Sequence, residues 1–361
     1  MDERLMKRCI GSPVPEWDMA HRLSIEGAVG PNIQDFGTIF KINSTYMDVT
    51  EPSLLEKQWS AAAILIGIAG ICIGPYMYWL TEVRYPYAAS TVGDLFALAI
   101  SLIFVFIVWK FGRDLFFALR RRPIRFQRGE RKLYAIRKRR FFAKPGQGDV
   151  VWEIPWSKDS IFCLHRERST FGELFHIRHY TVDDRGNVTQ VFSIGREWMP
   201  EAEVELALAQ WNYWCYYMND GPNGLPKPML FHTEDETPRE SFLFSLYGVG
   251  MDAPAIWRII MMPFVLVFTV MRILTNATCR DPVWPDAIQR VSAVVPDDPY
   301  AEPRTGTPVG WGETVLARRR GDYPINPKAR VDGWTGEQDG ERHAAVWLEK
   351  PGIESRSAAR V

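Results

Sequence analysis

Two uncharged, strongly apolar stretches, 58–81 and 95–109, lie close together and are followed by a dense basic segment, 110–140. A bilayer core about 30 Å thick needs roughly 20 helical residues at about 1.5 Å each, so the first stretch is long enough to cross it. The second reaches that length if it starts near Ser90, with Asp94 at one headgroup layer and the Lys110 ammonium reaching into the other. Neither helix then needs a charge at the bilayer centre. Tyr76, Tyr78, Trp79, Tyr85 and Tyr87 at one end of the hairpin, with Trp59 and Trp109 at the other, fit interfacial aromatic belts. A buried helical hairpin in a large soluble domain is the competing reading, which the length and the flanking charge disfavour.

Charge sets the orientation. The link 82–91 carries Arg84 as its one base, whereas Arg113, Arg120, Arg121, Arg122, Arg125, Arg128, Arg131 and Lys132 lead the cations that follow the second helix. Such residues near helix ends stay cytoplasmic, so the hairpin tip is expected outside, with both termini on the cytoplasmic side of a bacterial inner membrane. Arg120, Arg121, Arg122, Arg125 and Arg128 form the basic cluster expected at the membrane interface, where a well-placed cation gains about 1 kcal/mol against anionic headgroups. Topology alone explains such a cluster. The formal net charge of zero gives no global pull toward nucleic acid, and no nucleic-acid partner is expected.

Residues 1–57 mix polar residues, prolines and short apolar pieces such as 38–40, too little to bury a core alone, so this cytoplasmic arm is expected to pack on something else. No apolar run follows Met1, so the first transmembrane helix is expected to direct insertion itself. The hairpin occupies 58–110, with helices at about 59–80 and 90–110. The basic neck and a module of globular periodicity fill 111–221. Strands are predicted at 124–127, 132–139, 150–156, 160–167, 174–183 and 187–194, separated by turn chemistry at Arg128-Gly129, Pro145-Gly146, 169–172 and 184–186. A helix closes the module: Pro200 suits its first turn, Glu201, Glu203 and Glu205 favour its positive end, and Val204, Leu208, Trp211, Cys215 and Met218 recur at helical spacing. The fold class is therefore a membrane protein of α+β type: an N-terminal transmembrane helical hairpin, then a small antiparallel β-sheet module capped by a C-terminal helix. That succession is similar to the pleckstrin-homology-like domains of bacterial membrane proteins, an analogy that licenses no function by itself.

The region 222–280 is a linker followed by an apolar helix at about 256–274. Its wholly apolar part, 259–271, contains Pro263 and is fenced by Arg258 and Arg272. At about 20 Å it is short for a span. A helix lying in or dipping into the inner interface is favoured; a crossing of 254–274 with both arginines snorkelling, or a buried core helix, remains open. The tail 281–361 is rich in proline and glycine and is expected to be extended, although Trp284, Trp311, Trp334 and Trp347 can dock locally.

Catalytic signatures are missing. There is no Gly-x-Ser-x-Gly elbow, no phosphate loop, no His-Glu-x-x-His and no Cys-x-x-Cys, and Cys9, Cys72, Cys163, Cys215 and Cys279 are scattered as reduced thiols. His176 and His179 are the nearest approach to a ligand pair, but three residues apart on a strand means opposite faces. The run Glu234, Asp235, Glu236 reads as solvated surface rather than an acid-base pair. No catalytic, cofactor or metal site is therefore expected. The clearest packing feature is Ala63, Gly67, Gly70 and Gly74 on one face of the first helix, which suits close approach of the second helix, with homodimerisation as the alternative.

The hairpin, its basic exit, the Ile124-Arg125-Phe126 strand, Glu153-Ile154-Pro155-Trp156, the turn 184–187 and the segment from Thr278 to Pro285 together resemble a family of proteobacterial membrane proteins of unknown function. Its members are often encoded near type VI secretion and polymorphic-toxin genes. What the resemblance implies is a role in a toxin-delivery or toxin-protection system. The lead expectation is a non-enzymatic inner-membrane protein that binds a protein partner, such as an immunity protein neutralising its toxin. A membrane-anchored scaffold of a secretion apparatus and a membrane-bound enzyme of unrecognised type are the alternatives.

Overall fold

The computed structural model describes residues 9–50, 57–84, 91–116, 119–137, 150–169, 172–199, 203–248 and 254–349. In chain order its elements begin with α1 (Glu16–Ala20), β1 (Asn32–Ile33), β2 (Ile39–Ile42) and β3 (Tyr46–Thr50). Three helical elements follow: α2 (Lys57–Ile71), α3 (Ile73–Tyr78, continued as a π-helix over Trp79–Arg84) and α4 (Thr91–Leu115). Then come β4 (Pro123–Gln127), β5 (Lys132–Arg137), β6 (Val150–Pro155), β7 (Ile161–Ser169), β8 (Gly172–Val182), β9 (Val188–Trp198) and α5 (Val204–Asn219). The chain closes with α6 (Pro238–Gly248), α7 (Ala255–Thr278), α8 (Asp286–Val291), α9 (Gly310–Arg320), β10 (Ala329–Arg330) and α10 (Gly340–Leu348). The fold is α+β with antiparallel sheets, and three helical stretches, Ala63–Arg84, Val92–Gly112 and Ala255–Thr278, are long and apolar enough to cross a membrane.

These elements sort into two units that interleave along the sequence. A sheet unit takes Met1–Ser53, Arg122–Glu234 and Val283–Val361; a helical unit takes Leu54–Arg121 and Asp235–Pro282. In the sheet unit, β2 to β6 form a five-stranded antiparallel meander and β7 to β9 a three-stranded one. The six strands expected from alternation are present with small shifts at their ends, but they do not share one sheet. Three of them join β2 and β3 from the N-terminal arm: β2 pairs with β3, and β3 with β4, with Met47 opposite Phe126 and Val49 opposite Ile124. The segment 54–121 is looped out between these hydrogen-bonded neighbours. Strands of four and five residues show too few alternations to be recognised alone, and only the pairing with β4 buries Ile39, Met47 and Val49.

Helix α5 lies at the centre of the core. Trp211 and Trp214 on it meet Phe126, Trp156 and Phe162 with neighbouring ring centroids 5.0–6.4 Å apart. Gly195 permits the closest approach: it has φ +80° where β9 shifts register against β8, and a Cβ there would stand 2.8 Å from the Trp214 ring. The helix ends at Asp220, and Gly221, φ +100°, donates back to the Tyr216 and Tyr217 carbonyls. Pro200 and Glu201, read as its first turn, lie outside the described residues.

Polar side chains of α5 hold the arm. Asn212 accepts from the Val29 N–H and donates to the Gly30 and Asn32 carbonyls, all at 2.9 Å, while the Trp211 indole donates to Ser24 O and Gln210 to Thr38 Oγ1. Backbone groups of the arm that the sheets leave without a partner are thereby satisfied.

The tail departs from the extended structure expected of it. Residues 283–349 carry three short helices and pack within the sheet unit, with Val315, Tyr323, Ala344 and Trp347 buried. Ile42 exchanges backbone hydrogen bonds with Glu302, and β10 pairs with β1. Proline-rich chain orders here because it covers a preformed surface rather than building a core of its own.

In the helical unit, the face of α2 and α3 that carries Gly67, Gly70 and Gly74 is turned to α4. A Cβ on Gly67 would come within 2.6 Å of Val108, and at Gly70 and Gly74 it would collide with Phe104 and Ser101. Ser101 Oγ accepts from Gly74 N at 3.0 Å and donates to Ile71 O at 3.1 Å. Ala63, on the same stretch, is half-buried.

Candidate functional site

The β7–β8 register sets Phe162 and Leu164 opposite His179 and Ile177 on the core side of the three-stranded sheet, and Cys163, His165 and Glu167 on the other. His165 lies directly across from His176, so the second face gathers His165, Glu167, His176, Arg178 and Tyr180. His179 points into the core against Phe162, with ring centroids 4.8 Å apart. His176 and His179 therefore do occupy opposite faces, and the partner of His176 is His165.

The N-terminal arm straps this charged face. Gly11 and Ser12 bond to Val188 at the β9 edge, α1 crosses the face, and Leu23 N donates to Phe162 O at the β7 edge. Both sheet edges are thus capped. From α1 comes Asp18, fully buried, whose two oxygens lie 2.9 Å from His165 Nδ1 and whose Oδ2 accepts the Tyr180 hydroxyl. Arg178, 2% exposed, donates from Nε to His176 Nε2 at 2.6 Å and places Nη2 3.6 Å from Glu167 and Nη1 3.5 Å from Tyr180 Oη.

Ligand atoms of His165, Glu167 and His176 lie within 4.8 Å of one another, which is metal-site spacing. The chemistry of this trio argues otherwise. Arg178 supplies the local positive charge, and a neutral His176 that accepts at Nε2 carries its proton on Nδ1, leaving no lone pair for a metal. That Nδ1 is buried without a hydrogen-bond partner. Burial, with Arg178 and His165 beside it, holds His176 well below the ordinary histidine range, and burial pushes His179 down to about 4. The Cys163 thiol on the same face is pushed up by burial and by Asp18, the wrong direction for a nucleophile. The cluster is built to bind the arm, not to move protons.

The basic cluster is dispersed. Arg125, expected among the membrane-facing bases, is buried on β4, paired in a fork with Asp48 at 2.6 and 2.7 Å and stacked between Tyr46 and Trp284. Arg128 bonds to Ser44 O and lies over Tyr217. Arg120 pairs with Asp281 at 3.2 Å and reaches Asp235, while Arg121 and Arg122 are half-buried. Alternation explains Arg125: Ile124 and Phe126 take the core, so Arg125 falls on the opposite face, which the tail covers. Glu236, read as solvated, is instead half-buried in a fork with Arg272 at 2.5 and 2.7 Å. Burial alone would raise its pKa, but the hydrogen bonds and charge of Arg272 bring it below the usual carboxylate range.

The sheet unit also holds a cavity of about 400 Å³ whose walls include Tyr213, Pro226, Pro228, Phe231, Tyr300 and Tyr323. Lys227, Glu302, Arg304 and Asp322 contribute its charged atoms. Prolines and tyrosines make a stiff, amphipathic wall, and burial pushes the Tyr213 and Tyr323 hydroxyls up, away from any acid-base role near neutrality.

Among known protein families, the model of DUF6708, a family of unknown function, matches residues 101–296. The chain belongs to this family. No curated protein and no solved structure matches it. The DUF6708 match runs from within α4 through α8, so it includes His165, His176 and Arg178 but not Asp18 or the strands β2 and β3.

Proposed function

We propose that this DUF6708 protein is a membrane-anchored, non-enzymatic binding component of a bacterial toxin-delivery system, acting as an immunity protein that occupies its toxin. The observation that carries the binding half of this reading is the cavity walled by tyrosine and proline. It is a preformed amphipathic recess with no activated nucleophile or base among its described residues, and rigid aromatic walls suit recognition of an extended peptide or loop. Two antiparallel meanders followed by α5 support a pleckstrin-homology-like arrangement, a platform for partners rather than a catalytic scaffold. The α2–α4 hairpin and its basic exit support anchoring in the inner membrane with the sheet unit in the cytoplasm. The toxin-system half rests on the resemblance stated from sequence.

The test is genetic. Deleting this gene should be lethal only while the neighbouring toxin gene is intact, and Thr305→Trp, which adds bulk to the cavity wall, should lose protection while the protein still accumulates in membranes. Harmless deletion beside an active toxin would remove the immunity reading. Full protection by the Thr305→Trp chain would exclude the cavity as the binding surface.

A further inference from the structure

The segment 235–282 begins and ends in one place. Arg120, just past α4, pairs with Asp281 at 3.2 Å and reaches Asp235 at 3.7 Å, and its backbone N–H donates to Arg280 O at 2.8 Å. Glu236, ahead of α6, forks onto Arg272 near the end of α7, whose guanidinium also lies over the Phe244 ring at 3.7 Å. In the sheet unit, Phe231 and Val309 are bridged by the Gly310 N–H to Phe231 O bond of 2.7 Å, although α6 and α7 lie between them in sequence.

A folded unit cannot straddle a bilayer, so each looped-out segment must return the chain to the side it left. The first does so with two spans, 63–84 and 92–112. Among its described residues the second contains a single helix of spanning length, and one crossing is an odd number. Helix α6 cannot supply the other: its 11 residues reach about 16 Å, half of a hydrocarbon core of about 30 Å. Irregular backbone facing lipid cannot complete it either, because its N–H and C=O groups would lack partners.

Helix α7 is two-faced in the manner such a location requires. Its buried residues, Val265, Thr269, Met271, Arg272 and Thr275, begin only past Pro263, and Met271 packs with Ile64 and Leu115. Ahead of the proline, Ile256, Ile259 and Ile260 are exposed, and the exposed face continues past it through Phe264, Val267 and Val270. An apolar surface this contiguous, in a unit that carries two other apolar spans, fits acyl chains. Pro263 frees a backbone carbonyl in the helix interior and marks where the helix can bend away from the bilayer normal.

We propose that α6 and α7 form a re-entrant pair, entering one leaflet from the side that holds the sheet unit and returning to it, with the exposed face of α7 against the acyl chains of that leaflet. The pair is a lipid-binding element, closed at its base by the Glu236–Arg272 fork.

The full chain, with Cys9 and Cys72 replaced by serine, carries one new cysteine at a time for labelling in intact bacterial cells by a membrane-impermeant maleimide. Ala255→Cys should label no more than the parent, whereas Arg84→Cys at the hairpin tip labels; a fluorescent protein fused after residue 361 should fluoresce and a phosphatase there should be inactive. Labelling of Ala255→Cys in intact cells, or an active terminal phosphatase, overturns the proposal. In bilayers, a fluorophore on Ile260→Cys should be quenched by lipids spin-labelled on the acyl chain; absence of quenching, as when a second protein copy covers this face, also overturns it.

Discussion

In the sheet unit Trp156, Trp198, Trp211 and Trp214 are buried, and the buried charges Asp18, Arg125 and Arg178 all have partners. In the helical unit the large side chains Ile66, Leu98, Phe106 and Ile260 are exposed, while Gly67, Gly70, Gly74, Ser101, Thr269 and Thr275 are buried. One chain thus follows two rules of burial, each suited to its solvent. Against water, large apolar groups supply the driving force and belong inside. Against lipid that force is absent, and close backbone approach with interhelical hydrogen bonds takes its place.

The comparison breaks first if the two units cannot be separated. Thr50 and Pro123 are register partners, so a short Gly/Ser link replacing 54–121, with a longer one replacing 235–282, leaves every strand pairing intact. That joined chain should be soluble and unfold in one cooperative urea transition. The fragment 122–221, without β2, β3 and the tail, should be unfolded by circular dichroism, since β4 would become an open edge and α5 would lose the arm it holds. A folded fragment would show that arm and tail are decoration.

On the joined chain, Trp211→Ala should cost about 3–5 kcal/mol by urea denaturation, because it removes the ring at the centre of the aromatic cluster and the indole N–H that donates to Ser24 O. A loss below about 1 kcal/mol would mean that the core collapses around the gap.

A smaller effect separates the two faces of the β7–β9 sheet. His179 has its pKa pushed down from about 6.5 to about 4 by burial alone. Below pH ~6.5 the unfolded chain binds a proton that the folded chain refuses, so stability is full above that pH and falls as pH drops toward ~4, by up to roughly 3 kcal/mol. His176, also lowered, acts in the same sense. His179→Gln should flatten the dependence of the urea midpoint on pH between ~4 and ~6.5 by about one proton. An unchanged slope would place the proton sensitivity elsewhere.

How legible these features were depends on the range of the interactions behind them. The apolar helices, six strands and α5 follow from periodicity within a dozen residues, and strand alternation separates His176 from His179. The pairing of β3 with β4 across a looped-out hairpin has no local signature, nor does the docking of Trp347 or the fork between Glu236 and Arg272. The charged face was closer to reach. With Ser169 and Gly172 as register partners, hairpin register alone puts His165 opposite His176 and Cys163 opposite Arg178. What alternation could not supply is Asp18, which turns a face that reads as solvent-exposed into a buried one.

The smallest expected effect tests the helical unit on its own terms. Gly70 faces the Phe104 ring so closely that any Cβ must displace it, and Gly74 meets Ser101 in the same way. In a water-soluble helix, replacing glycine by a branched apolar residue usually gains helix propensity and buried area. Between lipid-facing helices the backbone separation dominates instead, and Gly70→Val should cost about 1–3 kcal/mol through overpacking. Measured on the full protein in mild detergent, it should lower the midpoint of thermal unfolding, while Ile66→Val, on an exposed position of the same helix, leaves it unchanged. If Gly70→Val is as stable as the parent, α2 and α4 have room to separate, and the small-residue face is free to meet a second copy of the chain.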